Sequence, residues 1–417
     1  MEDKKSDVKQ KDTKIQEDCI FSEENVNTGR QPEFDYLRTL GVCAIILTHF
    51  YLSFSQGIFF ELIIYICYIL KAAALQMLMG MGMRYSRHHE STNYIARGFV
   101  LLTQSQYVNI IRSTLPSIFA YWATGYKKFV SSAMLILQAD ILSHAGFACI
   151  FLGILKKMKL SDKCILIISI IMNFANWAFF KLMKPPSNFL LSQILGYFLL
   201  TDAEAYFPLC SYFMFVAFGY WLGGIYQKIS NKDKFYNRVL IFGLPIVTIY
   251  FYCRVHYKFL DLPPLISNEN YSGVLPPEGF ATCLVNLVVL ALYYKLDKLL
   301  KGTPDFVSHC GKNLNQYYII TDTITIQMRI FWVATKGEKA LLTLKYPTVV
   351  CFCLLCFARY LIDFNKKYIH FTIIGLKNPW RNIAFILIWL ATIIIVIYIY
   401  PRVEQFATMW NDYLIEN

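Results

Sequence analysis

Charge is what this sequence lacks. Only 16% of its 417 residues are Asp, Glu, Lys or Arg, against about 25% in a soluble globular chain. So few charges cannot clothe the surface of a soluble domain of this length. Internal repeats, coiled-coil heptads and polar linkers are missing as well, which excludes a solenoid, a long rod or a string of soluble modules. A paired Cys/His framework is also absent. Twelve cysteines are present, but Cys43, Cys67, Cys149, Cys164 and Cys283 sit inside apolar runs. Cys351, Cys353 and Cys356 cluster within one apolar stretch, with no second Cys/His cluster nearby in sequence to complete a zinc site. They read as small packing residues. Neither a disulfide framework nor a metal is expected.

What is present is apolar length. Hydrophobic residues make up 56% of the chain, and the mean hydropathy is +0.41. A hydrocarbon layer about 30 Å thick takes about 20 apolar residues to cross as a helix. The runs are continuous rather than alternating, so helices and not barrel strands are predicted. The fold class is therefore all-α: a polytopic integral membrane helix bundle of about 10–11 transmembrane helices. Candidate spans cover 35–56, 59–82, 97–122, 130–155, 163–182, 206–226, 237–255, 279–297, 313–333, 347–363 and 382–400. Residues 189–201 are too short to cross and read as a re-entrant or interfacial helix. Residues 1–33 are polar and read as a disordered tail. Residues 34–400 form the membrane domain, and 401–417 a short C-terminal tail.

The net charge of +12 does not require nucleic acid, because Lys and Arg collect on one side. With the N-terminal tail inside, about 25 of the basic residues fall in cytoplasmic segments and about 10 outside, as the positive-inside rule demands. The expected location is a multi-pass protein of the plasma (cell) membrane with a cytoplasmic N-terminus, surrounded by membrane lipids. Trp122, Trp177, Trp332 and Trp380 fall near span ends, as an aromatic belt requires. The loop 258–277 lies outside in this topology. It holds Asn270-Tyr-Ser272, a glycosylation acceptor where that machinery exists.

Ionisable groups at membrane depth are functional candidates. The first span offers Asp35, Arg38 and His49. Eleven residues separate Arg38 from His49, about 20° past three full turns and about 16 Å along the axis. The two share a face, and Asp35 lies one turn before Arg38. A salt-bridged cap with a hydrogen-bonded histidine would also explain this set. Asp140 and His144 stand at i, i+4, so their side chains can meet. A carboxylate there could orient the imidazole, or the pair could simply glue helices together. Arg84, Arg87 and Arg97 form a basic set, with His88 and His89 between. It reads as a phosphate clamp or as a plain positive-inside loop. Asp322 and Glu204 are weaker candidates. The run Gln76 to Met83 places glycines and methionines where helices pack closely.

Phe34-Asp-Tyr-Leu-Arg38-Thr-Leu-Gly41…Thr48-His49 resembles the first-helix signature of acyltransferase family 3. That superfamily includes the heparan-α-glucosaminide N-acetyltransferase group. Met79-Gly-Met-Gly-Met-Arg84-Tyr-Ser-Arg87 resembles the end of its second helix, and Ala96-Arg97-Gly98 the opening of the third. Asp140-Ile-Leu-Ser-His-Ala-Gly146, Tyr206-Phe-Pro208…Phe218-Gly-Tyr-Trp-Leu-Gly223 and Cys310-Gly-Lys-Asn-Leu314 are similar in the same order, from about residue 34 to 400. The resemblance implies transfer of an acyl group, usually acetyl, from cytoplasmic acyl-CoA to a hydroxyl or amine of an exported or cell-surface glycan. The acceptor would be a glycan or a lipid-linked sugar. His49 would be the essential histidine, Arg38 its signature partner, and Arg84 and Arg87 the second motif. The stretch around Asp322 has no counterpart in the pattern. A soluble esterase-like domain, common at the C-terminus of such proteins, has none either. A transporter or flippase using the same His, Arg and Asp groups as a proton relay is the competing class, and a sensor or scaffold without chemistry is a third.

The topology can be checked directly. Ser272→Cys should be labelled by an impermeant thiol reagent in intact cells, above the background of the parent protein. Labelling only after lysis would reverse the orientation.

Overall fold

A chain crossing hydrocarbon must satisfy its own backbone, and the apolar runs do so as helices. The structure, a computed structural model, describes residues 19–54, 73–182, 186, 188–199, 207–256, 274, 276–337, 347–369 and 379–404. Within these, α1 spans Pro32–Phe54, α2 Ala73–Tyr85 and α3 Ser91–Asn109. A π-helical turn, Ile110–Thr114, joins α3 to α4 (Leu115–Thr124). Next come α5 (Lys128–Ala133) with a 3-10 turn (Met134–Leu137), α6 (Ile141–Lys157), α7 (Asp162–Leu182), α8 (Phe189–Gly196) and α9 (Leu209–Gln227). Then α10 (Lys232–Arg238) runs through a second π turn, Val239–Gly243, into α11 (Leu244–His256). The rest is α12 (Pro276–Leu300), α13 (Asp305–Lys312), α14 (Leu314–Lys336), α15 (Pro347–Phe364) with a third π turn (Asn365–Ile369), and α16 (Trp380–Glu404). Among the described residues no strand forms; one isolated bridge pairs Phe21 with Ile229.

Among the described residues seven helical stretches are long and apolar enough to cross a membrane: Lys128–Lys157, Asp162–Phe180, Leu209–Gln227, Lys232–Cys253, Pro277–Leu300, Thr348–Ile369 and Trp380–Arg402. The protein is a multi-pass, all-helical membrane bundle. Helices also form at the expected spans 35–56, 97–122 and 313–333, as α1, α3–α4 and α14. These carry Arg38 and His49, Arg112, and Asp322. Of the expected span 59–82, only the part from Ala73 lies within the described residues. The segment 189–201 forms the short helix α8, capped by the Asn188 side chain on the Leu191 amide.

Two expectations need correction. The fourth span, expected as one helix over 130–155, is broken at Gln138–Asp140. Asp140 leaves the helical region (φ −85°, ψ 179°), and its carboxylate accepts from the Ser143 amide at 2.8 Å. An Asp that caps the first turn satisfies amides the helix would otherwise leave bare. The end of the N-terminal tail is also ordered. Residues 19–31 run along the foot of α9, where the Ser22 amide donates to the Lys228 carbonyl (2.7 Å) and the Ser230 amide to that of Ile20 (2.9 Å). The Asn27 amide donates to the Gln227 carbonyl at 2.9 Å. An extended segment held by backbone pairing needs no apolar periodicity, which is why a composition-based reading counts it as disordered. Glu33, buried beside it, accepts from Tyr236 (2.7 Å) and pairs with Lys232 (3.1 Å).

Small residues set how near the helices come. In lipid, helix association rests on close packing rather than on hydrophobic burial. α2 crosses α9 at Gly80 and Gly219. A Cβ on Gly80 would stand 2.1 Å from the Val216 carbonyl oxygen, and one on Gly219 1.9 Å from that of Met77. α3 crosses α6 at Gly98 and Gly146 in the same way, and a Cβ on Gly98 would stand 2.5 Å from the Gly146 carbonyl oxygen. The methionines of α2 fill the remaining space, with Met77, Met81 and Met83 fully buried.

Gly219→Leu should force α2 and α9 apart at a cost of about 1–3 kcal/mol, read as a lower melting temperature in detergent. Gly29→Ala, which meets nothing within 4 Å, should leave it unchanged.

Candidate functional site

Among the described residues one guanidinium is buried, that of Arg112. Arg112 sits in the π turn after α3, where a wider turn re-aims side chains, as π bulges at functional sites commonly do. It is 4% exposed. One side of its fork donates to Asp322 Oδ2 of α14. The other donates to Asn109 Oδ1 at 2.6 Å and to Gln138 Oε1 at 3.1 Å, and lies 3.8 Å from Asp140 Oδ2. The Tyr318 hydroxyl stands 3.4 Å from Nη1. Asp140 Oδ1 also accepts from Ser105 Oγ at 2.8 Å. Two carboxylates and two amide oxygens thus surround one cation. That is the arrangement a buried charge requires, since removing one partner of such a set costs several kcal/mol.

Asp322 has a second task. Its Oδ1 lies 2.5 Å from Nδ1 of His49. A carboxylate can only accept, so Nδ1 is the donor in this contact, and in a neutral imidazole the lone pair then falls on Nε2. The His49 side chain is 37% exposed, whereas that of Asp322 is 3% exposed. The imidazole is therefore anchored on one side and open on the other. An oriented, open imidazole with a buried carboxylate behind it is the working unit of a general base.

Beside this network runs a cavity of about 800 Å³, lined by α1, α2, α3, α6, α13, α14 and α16. Arg30, Arg38, Arg97 and Lys312 stand at the end where α1 begins. Arg30 and Arg38 share the single carboxylate of Asp35, at 2.7 and 3.2 Å. Gly311 lets Asp35 lie this close to α13; a Cβ there would meet Oδ1 at 2.4 Å. Leu75, Leu78, Leu101 and Leu142 line the rest together with Gln76, Thr103, Gln104 and Gln316. Tyr107 and Tyr318 lie toward the network. Tyr318 belongs to both: it lines the cavity and its hydroxyl meets Arg112.

The sequence-derived candidates sort accordingly. Arg38 pairs with Asp35, as a capped helix start would have it, and also faces the cavity. His49 and Asp140 are brought together, though only through Asp322 and Arg112. Asp140 and His144 do not form a side-chain pair. As a cap, Asp140 turns its carboxylate back onto Ser143, Ser105 and Arg112, so the i, i+4 rule for helical side chains does not reach it. The His144 ring is buried against Tyr212, with centroids 6.0 Å apart. Arg97 lines the cavity. Arg84 does not: it pairs with Asp162 at 3.4 Å and lies over the Tyr220 ring. Arg87 is exposed. Of the three clustered cysteines, Cys351 is buried while Cys353 and Cys356 are exposed, so they do not converge. Among the described residues no group of three His, Cys, Asp or Glu is placed to hold a metal ion. Glu204 and Asn270 lie outside the described residues.

Of the charged residues in the network, Arg112 escaped the sequence reading and Asp322 was underweighted. Arg112 is the one charged residue in the middle of the predicted span 97–122, which otherwise carries only Arg97 at its start, and the cost of such a charge was the available signal. Asp322 ranked low because nothing in its neighbourhood names a partner; its partners are 210 and 273 residues away. No protein family profile matches the chain, and neither a curated protein nor a solved structure shows significant similarity to it.

Arg112→Met should cost about 3–5 kcal/mol by leaving buried carboxylates without their cation. Adding Asp322→Asn and Asp140→Asn should restore much of that loss. Thermal unfolding in detergent reads both; equal losses in the single and triple variants would show that charge pairing does not hold the centre together.

Proposed function

We propose that the protein is a membrane acyltransferase. It moves an acyl group, acetyl in the first instance, from cytoplasmic acyl-CoA to a hydroxyl or amine of an exported or surface glycan. The observation that carries this reading is the pairing of an oriented histidine, His49 on Asp322, with a neighbouring cavity lined by Arg30, Arg38, Arg97 and Lys312 and by mixed apolar and polar walls beyond them. Phosphates of a CoA cannot enter hydrocarbon and would stay with Arg30, Arg38, Arg97 and Lys312, of which the guanidinium forks suit phosphate oxygens. This assignment replaces Arg84 and Arg87, which face elsewhere. The slender arm would extend inward, and its thioester would lie toward Tyr318. The acceptor reaches His49 from its open side.

The chemistry balances with these residues. Nε2 of His49 takes the proton of the acceptor hydroxyl or amine as its oxygen or nitrogen attacks the thioester carbonyl. The tetrahedral intermediate collapses with cleavage of the carbon–sulfur bond. The leaving thiolate receives the proton from His49, and an ester or amide is released. Asp322 stabilises the imidazolium formed between the two transfers. Arg112 binds the other oxygen of Asp322 and holds it in place.

A second reading is favoured by one specific feature. A helix broken at Gln138–Asp140 beside a buried Arg–Asp–His network resembles the interrupted helices and proton relays of transporters. Labelled acetyl-CoA separates the two. Acceptor-dependent release of CoA supports the transferase, and counter-flow without loss of thioester supports transport.

His49→Gln keeps a hydrogen-bonding side chain of similar reach but accepts no proton at neutral pH. It should lower acyl transfer by about 10²–10⁴-fold. Abundance in the membrane should hold, because one polar contact in a bundle is worth about 0.6 kcal/mol. Near-normal turnover would remove His49 as the base.

A further inference from the structure

The basic end of the cavity calls for an anion. Arg30, Arg38, Arg97 and Lys312 line it, and among the described residues no Asp or Glu lines the cavity at all. Asp35, behind the wall, divides its carboxylate between Arg30 and Arg38. One of the four cations comes from outside the helices. Arg30 belongs to the ordered segment 19–31, and it is the residue of that segment that lines the cavity. Its Nε donates to Asp35 Oδ2 at 2.7 Å, while the side chain stays 47% exposed.

A long side chain on a free tail would lose much freedom in taking up one place. Here its neighbour is already fixed. Gln31 is 3% exposed. Its Nε2 donates to Asn27 Oδ1 at 2.9 Å and to the Gly29 carbonyl at 2.6 Å, and its Oε1 accepts from Lys232 of α10. Asn27 donates from Nδ2 to the Tyr226 carbonyl at 3.1 Å and from its backbone amide to the Gln227 carbonyl at 2.9 Å. Pro32, at the first position of α1, sets where the helix begins. The turn 27–31 is thereby bolted to the corner between α9 and α10, and Arg30 projects from it toward Asp35. A cation held in place beforehand spares a ligand part of the ordering cost of binding.

Resting on the reading of the basic end as a phosphate site, we infer that the turn 27–31 is part of that site. Arg30 is a binding residue for the phosphates, and Gln31 is the positioning residue that holds Arg30 over the cavity. The end of the N-terminal tail thus serves ligand binding as well as the fold.

The test is a double-mutant cycle on the purified full chain, read as the Kd for adenosine 3′,5′-bisphosphate at one ionic strength. Arg30→Gln should raise that Kd about tenfold, as loss of a charge-assisted contact does. Gln31→Leu keeps a similar bulk without the hydrogen bonds, and should raise it by nearly the same factor. The two together should still give about tenfold rather than about a hundredfold, because with Arg30 gone Gln31 has nothing left to position. Multiplying effects would mean that Gln31 acts on the whole bundle, and would overturn the inference. So would an unchanged Kd in either single variant. If Gln31→Leu does not fold, Asn27→Ala carries the same cycle. Wild-type protein that fails to bind the bisphosphate overturns the phosphate reading itself. Binding that Arg38→Gln weakens and Arg30→Gln does not leaves that reading standing and removes the tail from the site.

Discussion

A guanidinium held at the centre of a membrane bundle is the constraint from which the rest follows. An ion cannot sit at that depth without compensation, and Arg112 obtains it from two acids, two side-chain amides and a phenol drawn from separate helices. Each of those helices is placed or deformed accordingly. α3 opens into a π turn to aim Arg112 inward, and the fourth span breaks so that Gln138 and Asp140 point at it. α14 presents Asp322 and Tyr318 one turn apart. The oriented histidine is an outcome of the same arrangement, because the acid that neutralises the cation still has one oxygen to offer.

This places the site's demands in tension with those of the bilayer. Lipid favours uninterrupted helices whose backbones satisfy themselves. The network needs a helix end at depth, and a cap makes that tolerable: the bare amides at the start of α6 find Asp140, and Asp140 finds Arg112. One carboxylate therefore serves backbone and charge together. The close crossings at Gly80, Gly219, Gly98 and Gly146 hold the surrounding helices tightly enough for the geometry to persist. The cavity occurs where that tight packing is given up.

The architecture was legible in the sequence because hydrophobic length is a local property. Runs of about 20 apolar residues announce spanning helices, and helices form where those runs lie. Arg38 and His49 were found by their spacing on one helix, which is also local. What the sequence concealed was long-range or conformational. Asp322 could not be weighed without knowing that His49 and Arg112 lie across the bundle from it. The break before Ile141 had a visible sign, an Asp three residues ahead of Ser143, but the apolar run on both sides suggested continuity. The Asp140–His144 expectation failed for the same reason, since helical spacing was applied to a residue that caps the helix. The extended residues 19–31 carry no periodic signal, and their partners lie at the end of α9 and just after it, some 200 positions later.

That separation has a meaning during synthesis. Arg112 emerges well before Asp322, with 210 residues between them. At about 5–20 residues per second, the cation waits roughly 10–40 s for its principal counter-charge. Asp140 arrives only 28 positions after Arg112 by their numbering, so the weaker, longer ion pair is the one that can form first. The nascent chain thus carries its own temporary companion for the charge until α14 is inserted. His49, made earlier still, gains its orientation only then, so the imidazole is unanchored for most of translation and the centre is completed among the last events of assembly.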